Sequence, residues 1–154
     1  MKNIKLTIEY EGTNYCGWQT QKDLPTIQET IENCISKITN EKIKIYGSGR
    51  TDSGVHAIGQ VANFKSSTSL NNFQLIRAIN SLLPDDISIT TLEEVDENFH
   101  SQYDSKSKIY QYQILNRDSP SALMNDKVWY IPRKLKIRKM KEASKFLIGS
   151  HDFL

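Results

Sequence analysis

Over the first ninety-five residues the hydrophobic period switches back and forth between two and 3.6, and this most constrains the fold. Ile4, Leu6, Ile8 and Tyr10 alternate with polar residues, which predicts a first strand. Ile27, Ile31, Cys34, Ile35 and Ile38 then repeat at helical spacing, predicting a helix to about Thr39. Its start reads as a capping box, Thr26-Ile27-Gln28-Glu29, with Pro25 just before it. Ile43–Tyr46 predicts a second strand and Ala57–Phe64 a third. A second helix is expected from about Asn71, with Phe73, Ile76, Ile79 and Leu83 on one face and Pro84 ending it. Ile87, Ile89, Thr91 and Val95 predict a fourth strand. The order β-α-β-β-α-β is that of an α+β, ferredoxin-like unit, an antiparallel sheet with two helices on one face. Its other face is expected to be open to a further surface or to nucleic acid.

This unit is expected to occupy residues 1–97, and residues 98–154 a linker and the first part of a second, similar unit. There, Lys108–Asn116 predicts a long strand with Tyr110 and Tyr112 on one side. Val128–Ile131 predicts a short strand, and a basic helix is expected from about Ile137 to Ile148, with Gly149 suited to its stop. Net charge is only +2, but residues 98–154 carry eleven Lys/Arg against five Asp/Glu, and residues 1–97 nine against thirteen. The basic run Arg133–Lys141 suits a phosphate-binding face or a solvated helix face. Trp18, in a polar loop, reads either as a ligand contact or as packing over a sheet edge.

No apolar run approaches a membrane span, and the strand pattern begins almost at Met1, so no signal peptide is expected. Cys16 and Cys34 have no metal-ligand spacing and are too few for a disulfide framework. A cytoplasmic protein is the simplest expectation.

The richest chemistry lies between the second and third strands, in Gly47-Ser48-Gly49-Arg50-Thr51-Asp52-Ser53-Gly54-Val55-His56. Three glycines let the chain turn sharply and let another molecule come close. A loop held by two strands is a usual seat of function. Asp52 is its only carboxylate, and Arg50, two residues away, is placed to pair with it. A glycine-rich turn with a structural Arg–Asp pair fits the same residues equally well.

This string, with Ala57 and Gly59-Gln60-Val61 after it, resembles the signature block of the tRNA pseudouridine synthase A family. Further blocks agree in order: Gly17-Trp18-Gln19 with Thr26-Ile27-Gln28, Ala78 to Ile87, Phe99-His100 with Lys108-Ile109-Tyr110-Gln111-Tyr112, and Gly149-Ser150-His151-Asp152-Phe153. The resemblance implies a pseudouridine synthase fold and an isomerase that converts uridine to pseudouridine in tRNA, at positions 38–40 of the anticodon stem-loop. It assigns catalysis to Asp52 as nucleophile or base, and base flipping to Arg50, which also partners the Asp. It places Thr51, His56 and Tyr110 against the substrate, Tyr110 stacking on the flipped base; on residue pattern alone Tyr110 reads as a core tyrosine and His56 as a loop anchor. No metal or cofactor is implied, and a homodimer is.

Two departures stand out. Gln102 occupies a position where the family usually has Arg, which suggests a lost phosphate contact. The family also continues well beyond the His-Asp-Phe block, with a segment that completes the second domain and faces a basic residue toward the catalytic Asp. The chain therefore reads as truncated and is expected to be inactive alone. A non-catalytic RNA-binding module is the alternative, and a protein-interaction domain using the open sheet face a third reading.

Overall fold

The computed structural model describes residues 1–152. Phe153, the last residue of the expected His-Asp-Phe block, lies outside the described residues. The chain forms two compact units, Met1–Lys108 and Ile109–Leu154.

The first unit has β1 (Lys2–Tyr10), α1 (Ile27–Thr39), β2 (Tyr46–Gly47), β3 (Ala57–Ser66), α2 (Asn72–Leu82) and β4 (Ile87–Val95). The sheet order is β2-β3-β1-β4 with every neighbour antiparallel. This is the ferredoxin-like arrangement expected from the periodicity. Ile4, Leu6, Ile8 and Tyr10 bury one face of β1, and Phe64 and Ala62 stand opposite Ile4 and Leu6 on β3. Ile27, Ile31 and Ile35 of α1 and Leu75 and Ile79 of α2 cover that face. These large side chains have nearly no exposed surface, and burying each is worth about 1.5–3 kcal/mol.

Two expectations for the helices change. Thr26 does not cap α1; its side chain is fully buried and makes no cap hydrogen bond. The first amides of the helix instead donate to a neighbouring loop, Ile27 N to Gly17 O at 3.2 Å and Gln28 N to Trp18 O at 3.0 Å. The capping box belongs to α2, where Asn71 and Gln74 satisfy each other's amides. Phe73 is not in the core but 67% exposed, its ring 5.5 Å from the Arg77 guanidinium.

The second strand shrinks to Tyr46–Gly47. Ile43 and Ile45 are buried, but α1 side chains take the hydrogen bonds that a strand would make. Ile43 N donates to Ser36 Oγ, Ile45 N to Glu32 Oε1, and Ile45 O accepts from Gln28 Nε2.

The face opposite the helices is only partly open. Asn3 of β1 and Asn63 of β3 are buried there, joined by a 3.0 Å bond. Asn3 Nδ2 donates to Asp96 O and Phe99 O, and Asn63 Oδ1 accepts from Ser101 N. The pair fastens residues 96–101 across the sheet. The first unit therefore runs eleven residues past the boundary expected at Glu97.

In the second unit, β5 (Ile114–Leu115) pairs with β6 (Trp129–Tyr130) in parallel, followed by α3 (Ile137–Ser144). Among the described residues the strand expected over 108–116 forms only at Ile114 and Leu115, which pair with the two residues of β6. The helix stops at Ser144 rather than near Ile148 and passes into a short 3-10 turn, Lys145–Leu147. Among the described residues of this unit none is buried. The basic run Arg133–Lys141 is a solvated face here: Arg138 pairs with Glu142 one turn on, at 3.1 Å, with the Arg side chain 91% exposed.

Candidate active site

Two loops build the site. The first, residues 11–26, connects β1 to α1; the second, residues 48–56, connects β2 to β3. Trp18 is the hinge between them. It is buried, and a Cβ at Gly47 would sit 2.7 Å from its ring, so only glycine fits there. Trp18 N also donates to Thr51 O at 3.0 Å. The packing reading of Trp18 therefore holds over the ligand reading.

Close backbone contacts clamp the second loop onto the first. Gly17 has φ +91°, and a Cβ on it would stand 2.5 Å from Thr51 O. Gly54 N and Ser53 Oγ both donate to Tyr15 O, each at 3.2 Å. Tyr10 OH and Thr51 Oγ1 are 2.8 Å apart. Tyr15 OH in turn donates to Asp86 Oδ1 at 2.6 Å, tying the first loop to the start of β4. Burial, then the Asp86 hydrogen bond and charge, hold the Tyr15 phenol protonated well above the ordinary phenol range. Burial raises Tyr10 as well, opposed by its bond to Thr51.

With its neighbours fixed, Asp52 projects into solvent. Cys16, Gln19, Gln21, Arg50, Thr51, Asp52 and Ser53 line an open groove of about 370 Å³. The Asp52 carbonyl closes a turn by accepting from Val55 N at 3.2 Å, while its carboxylate faces the groove. Such a carboxylate on a rigid loop can act as a nucleophile or a base.

Arg50 shares the groove, but no Arg50–Asp52 ion pair within 4.0 Å forms among the described residues. Side chains two apart on an irregular loop need not converge, and both reach water here. Thr51 faces inward to Tyr10 rather than into open solvent. His56 anchors the end of the loop: its Nδ1 accepts from Gly12 N at 3.0 Å and lies 3.3 Å from Glu11 Oε1. Tyr110 belongs to the second unit, 70% exposed in irregular chain before β5, so the core reading of it is overturned.

The sequence reading named Lys108 only within a motif block and not as a site residue. A Cβ at Gly49 would meet its Cε at 3.1 Å and its Nζ at 3.2 Å, so the lysine lies along the loop between Ser48 and Arg50. The loop thus has two cations, one local and one from the end of the first unit. Lys108 is far from the loop in sequence, and no spacing rule would have found it. Among the described residues no three His, Cys, Asp or Glu side chains gather so as to hold a metal ion.

The Asp52 carboxylate and the Arg50 and Lys108 cations thus share one clamped loop at the edge of an antiparallel ferredoxin-like sheet. A family model described as tRNA pseudouridine synthase matches residues 6–104, and the chain belongs to that family. The chain is 49% identical over 153 residues to tRNA pseudouridine synthase A of Clostridium acetobutylicum and 50% identical to tRNA pseudouridine synthase A 2 of Clostridium perfringens. The Thermoanaerobacter sp. protein of the first name is 46% identical. Each match covers 99% of this chain but 63% of the relative.

Proposed function

We propose that this chain carries the catalytic loop of a tRNA pseudouridine synthase acting on uridines at positions 38–40 of the anticodon stem-loop. The supporting observation is the Asp52 carboxylate, held at a groove by a loop whose backbone is fixed on both sides. The reaction breaks the N1–C1′ bond of uridine, joins C1′ to C5, releases the C5 hydrogen to solvent and returns a proton to N1. No oxidant, reductant or second substrate enters the balance. Asp52 acts as the nucleophile, at C1′ or C6, or as the base that begins an elimination.

The uridine must leave its stack before any side chain reaches it. Arg50, free of Asp52, is available to fill the gap and hold the flipped nucleotide's phosphate. Lys108 adds a second cation at Gly49. Thr51 and His56 act by fixing the loop, and Tyr110 is the residue the family places on the flipped base. Family likeness extends the reading to a homodimer in the cytoplasm. Among the described residues no helix is long and apolar enough to cross a membrane.

The test is incubation with an anticodon stem-loop RNA, followed by detection of pseudouridine at single-nucleotide resolution. Pseudouridine confined to positions 38–40 supports the proposal. RNA bound at unchanged composition, by this chain and by a version extended with the segment of the Clostridium acetobutylicum relative that it leaves uncovered, would favour the RNA-binding module.

A further inference from the structure

An exposed aromatic ladder stands on the edge of the first unit and has no part in the Asp52 groove. The rings of Tyr46, His100 and Tyr103 follow one another at centroid separations of 4.9 and 4.4 Å, tilted by 48° and 31°. Lys44 Nζ lies 5.5 Å from the Tyr46 centroid. Tyr103 ends the ladder and is 79% exposed, so the ring face turned away from His100 meets water.

The ladder is ordered although Tyr46 and Tyr103 are exposed. Ser101 is buried between His100 and Tyr103 in sequence, its N–H donating to Asn63 Oδ1 at 2.9 Å and its hydroxyl to Tyr46 O. The turn carrying His100 and Tyr103 is closed by Tyr103 N and Asp104 N donating to His100 O, and by His100 N donating to Asp104 Oδ2. A flat ligand laid on Tyr103 would thus find its surface already ordered, without an entropic cost for assembling it. Tyr46 and Gly47 are the two residues of β2, so the ladder and the Asp52 loop share one strand. A cation beside stacked aromatic rings is the combination that suits an unpaired nucleobase and its phosphate.

We propose that the Tyr46–His100–Tyr103 ladder is a stacking platform for an unpaired base of the RNA, distinct from the base that enters the Asp52 groove. The proposal rests on the reading of this chain as an RNA-modifying protein. It differs from a phosphate contact in that stacking releases no counterions, so its contribution is the same at low and high salt.

The experiment uses an anticodon stem-loop RNA with 2-aminopurine replacing one unpaired loop base at a time. Binding and quenching are measured for the wild type, Tyr103→Leu, Tyr103→Phe and Asp52→Asn. Tyr103→Leu should bind about 5- to 150-fold more weakly, by the same factor at two salt concentrations, and lose the quenching of one probe position. Tyr103→Phe keeps a ring and should stay within about twofold of wild type. Asp52→Asn should quench as wild type does. Wild-type affinity and quenching in Tyr103→Leu would overturn the platform, as would absence of RNA binding by the wild type. Quenching that depends on Tyr103, while neither this chain nor its extended version forms pseudouridine, would uphold the platform while refuting the enzymatic reading. Because Tyr103 is mostly solvated, melting of the variants should match wild type, and a Tyr103→Leu variant that binds weakly only because it has unfolded would count against the platform.

Discussion

Gly17→Ala separates backbone strain from displacement of the catalytic loop, because Gly54→Ala supplies the control. Both glycines have left-handed backbones, φ +91° at Gly17 and +77° at Gly54. A Cβ in that region costs about 1–2 kcal/mol at either position. Only at Gly17 does the added carbon meet the protein: it would lie 2.5 Å from Thr51 O and 3.1 Å from the Asp52 carbonyl carbon, whereas at Gly54 nothing lies within 4 Å. Reaching ordinary contact at 3.4 Å requires Thr51 O to move by about 0.9 Å. A misplacement of about 1 Å at reacting groups costs on the order of a hundredfold in rate. Overpacking adds about 1–3 kcal/mol of instability. Urea unfolding of the 154-residue chain should thus show a loss of about 2–5 kcal/mol for Gly17→Ala and about 1–2 kcal/mol for Gly54→Ala. Pseudouridine formation, measured in the version extended from the Clostridium acetobutylicum relative, should fall on the order of a hundredfold for Gly17→Ala and less than tenfold for Gly54→Ala. Equal rates for the two variants would refute the claim that the 11–26 loop sets the position of Asp52.

Other predictions follow from the same contacts. Asn63→Ala leaves Ser101 N and Asn3 without their partner and should cost about 1–3 kcal/mol per stranded buried group, read by urea unfolding; a loss under about 0.5 kcal/mol would show that the 96–101 segment holds itself. Tyr10, Tyr15 and Cys34 are each raised above their ordinary values of 10.0, 10.0 and 9.0, burial being the first cause. Their protonated forms are favoured in the fold, so this stability is fully present below those ordinary values and is lost as pH rises through the folded pKa values. The urea midpoint should fall above about pH 9, less steeply in Tyr15→Phe, and a midpoint that climbs there would contradict the assignment. Arg50→Ala and Lys108→Ala should each slow turnover more than Lys139→Ala, whose effect should be limited to RNA affinity and a salt slope smaller by about one; indistinguishable rates for the three would remove the loop cations from the site.

The sequence showed the alternation of β1 and the helical stripes of α1 and α2 because each is set by residues near one another in the chain. It was less informative wherever a hydrogen bond was settled by distant partners. Thr26 and Glu29 have the composition of a capping box, yet the Thr26 side chain is buried without a cap hydrogen bond and the Ile27 and Gln28 amides donate to Gly17 O and Trp18 O of a neighbouring loop. Ile43–Tyr46 has the composition of a strand, yet Ser36, Glu32 and Gln28 compete for its backbone. Asn3 and Asn63 look like exposed strand positions until the register brings their side chains together beneath Phe99 and Ser101. In the site, Asp52, Arg50 and the glycines could be read from one string. Their geometry could not, because it depends on Tyr15 and Trp18 from the 11–26 loop and on Lys108 from the end of the first unit.

The most direct test of the central claim is release of tritium from C5-labelled uridine in tRNA by the extended protein and its Asp52→Asn variant. An amide is neither nucleophile nor base, and Asp52 is exposed, so the variant should fold and bind RNA as wild type does while releasing no tritium. Release by Asp52→Asn at the wild-type rate would contradict the account, since the groove would then be doing its chemistry without the one carboxylate the loop presents.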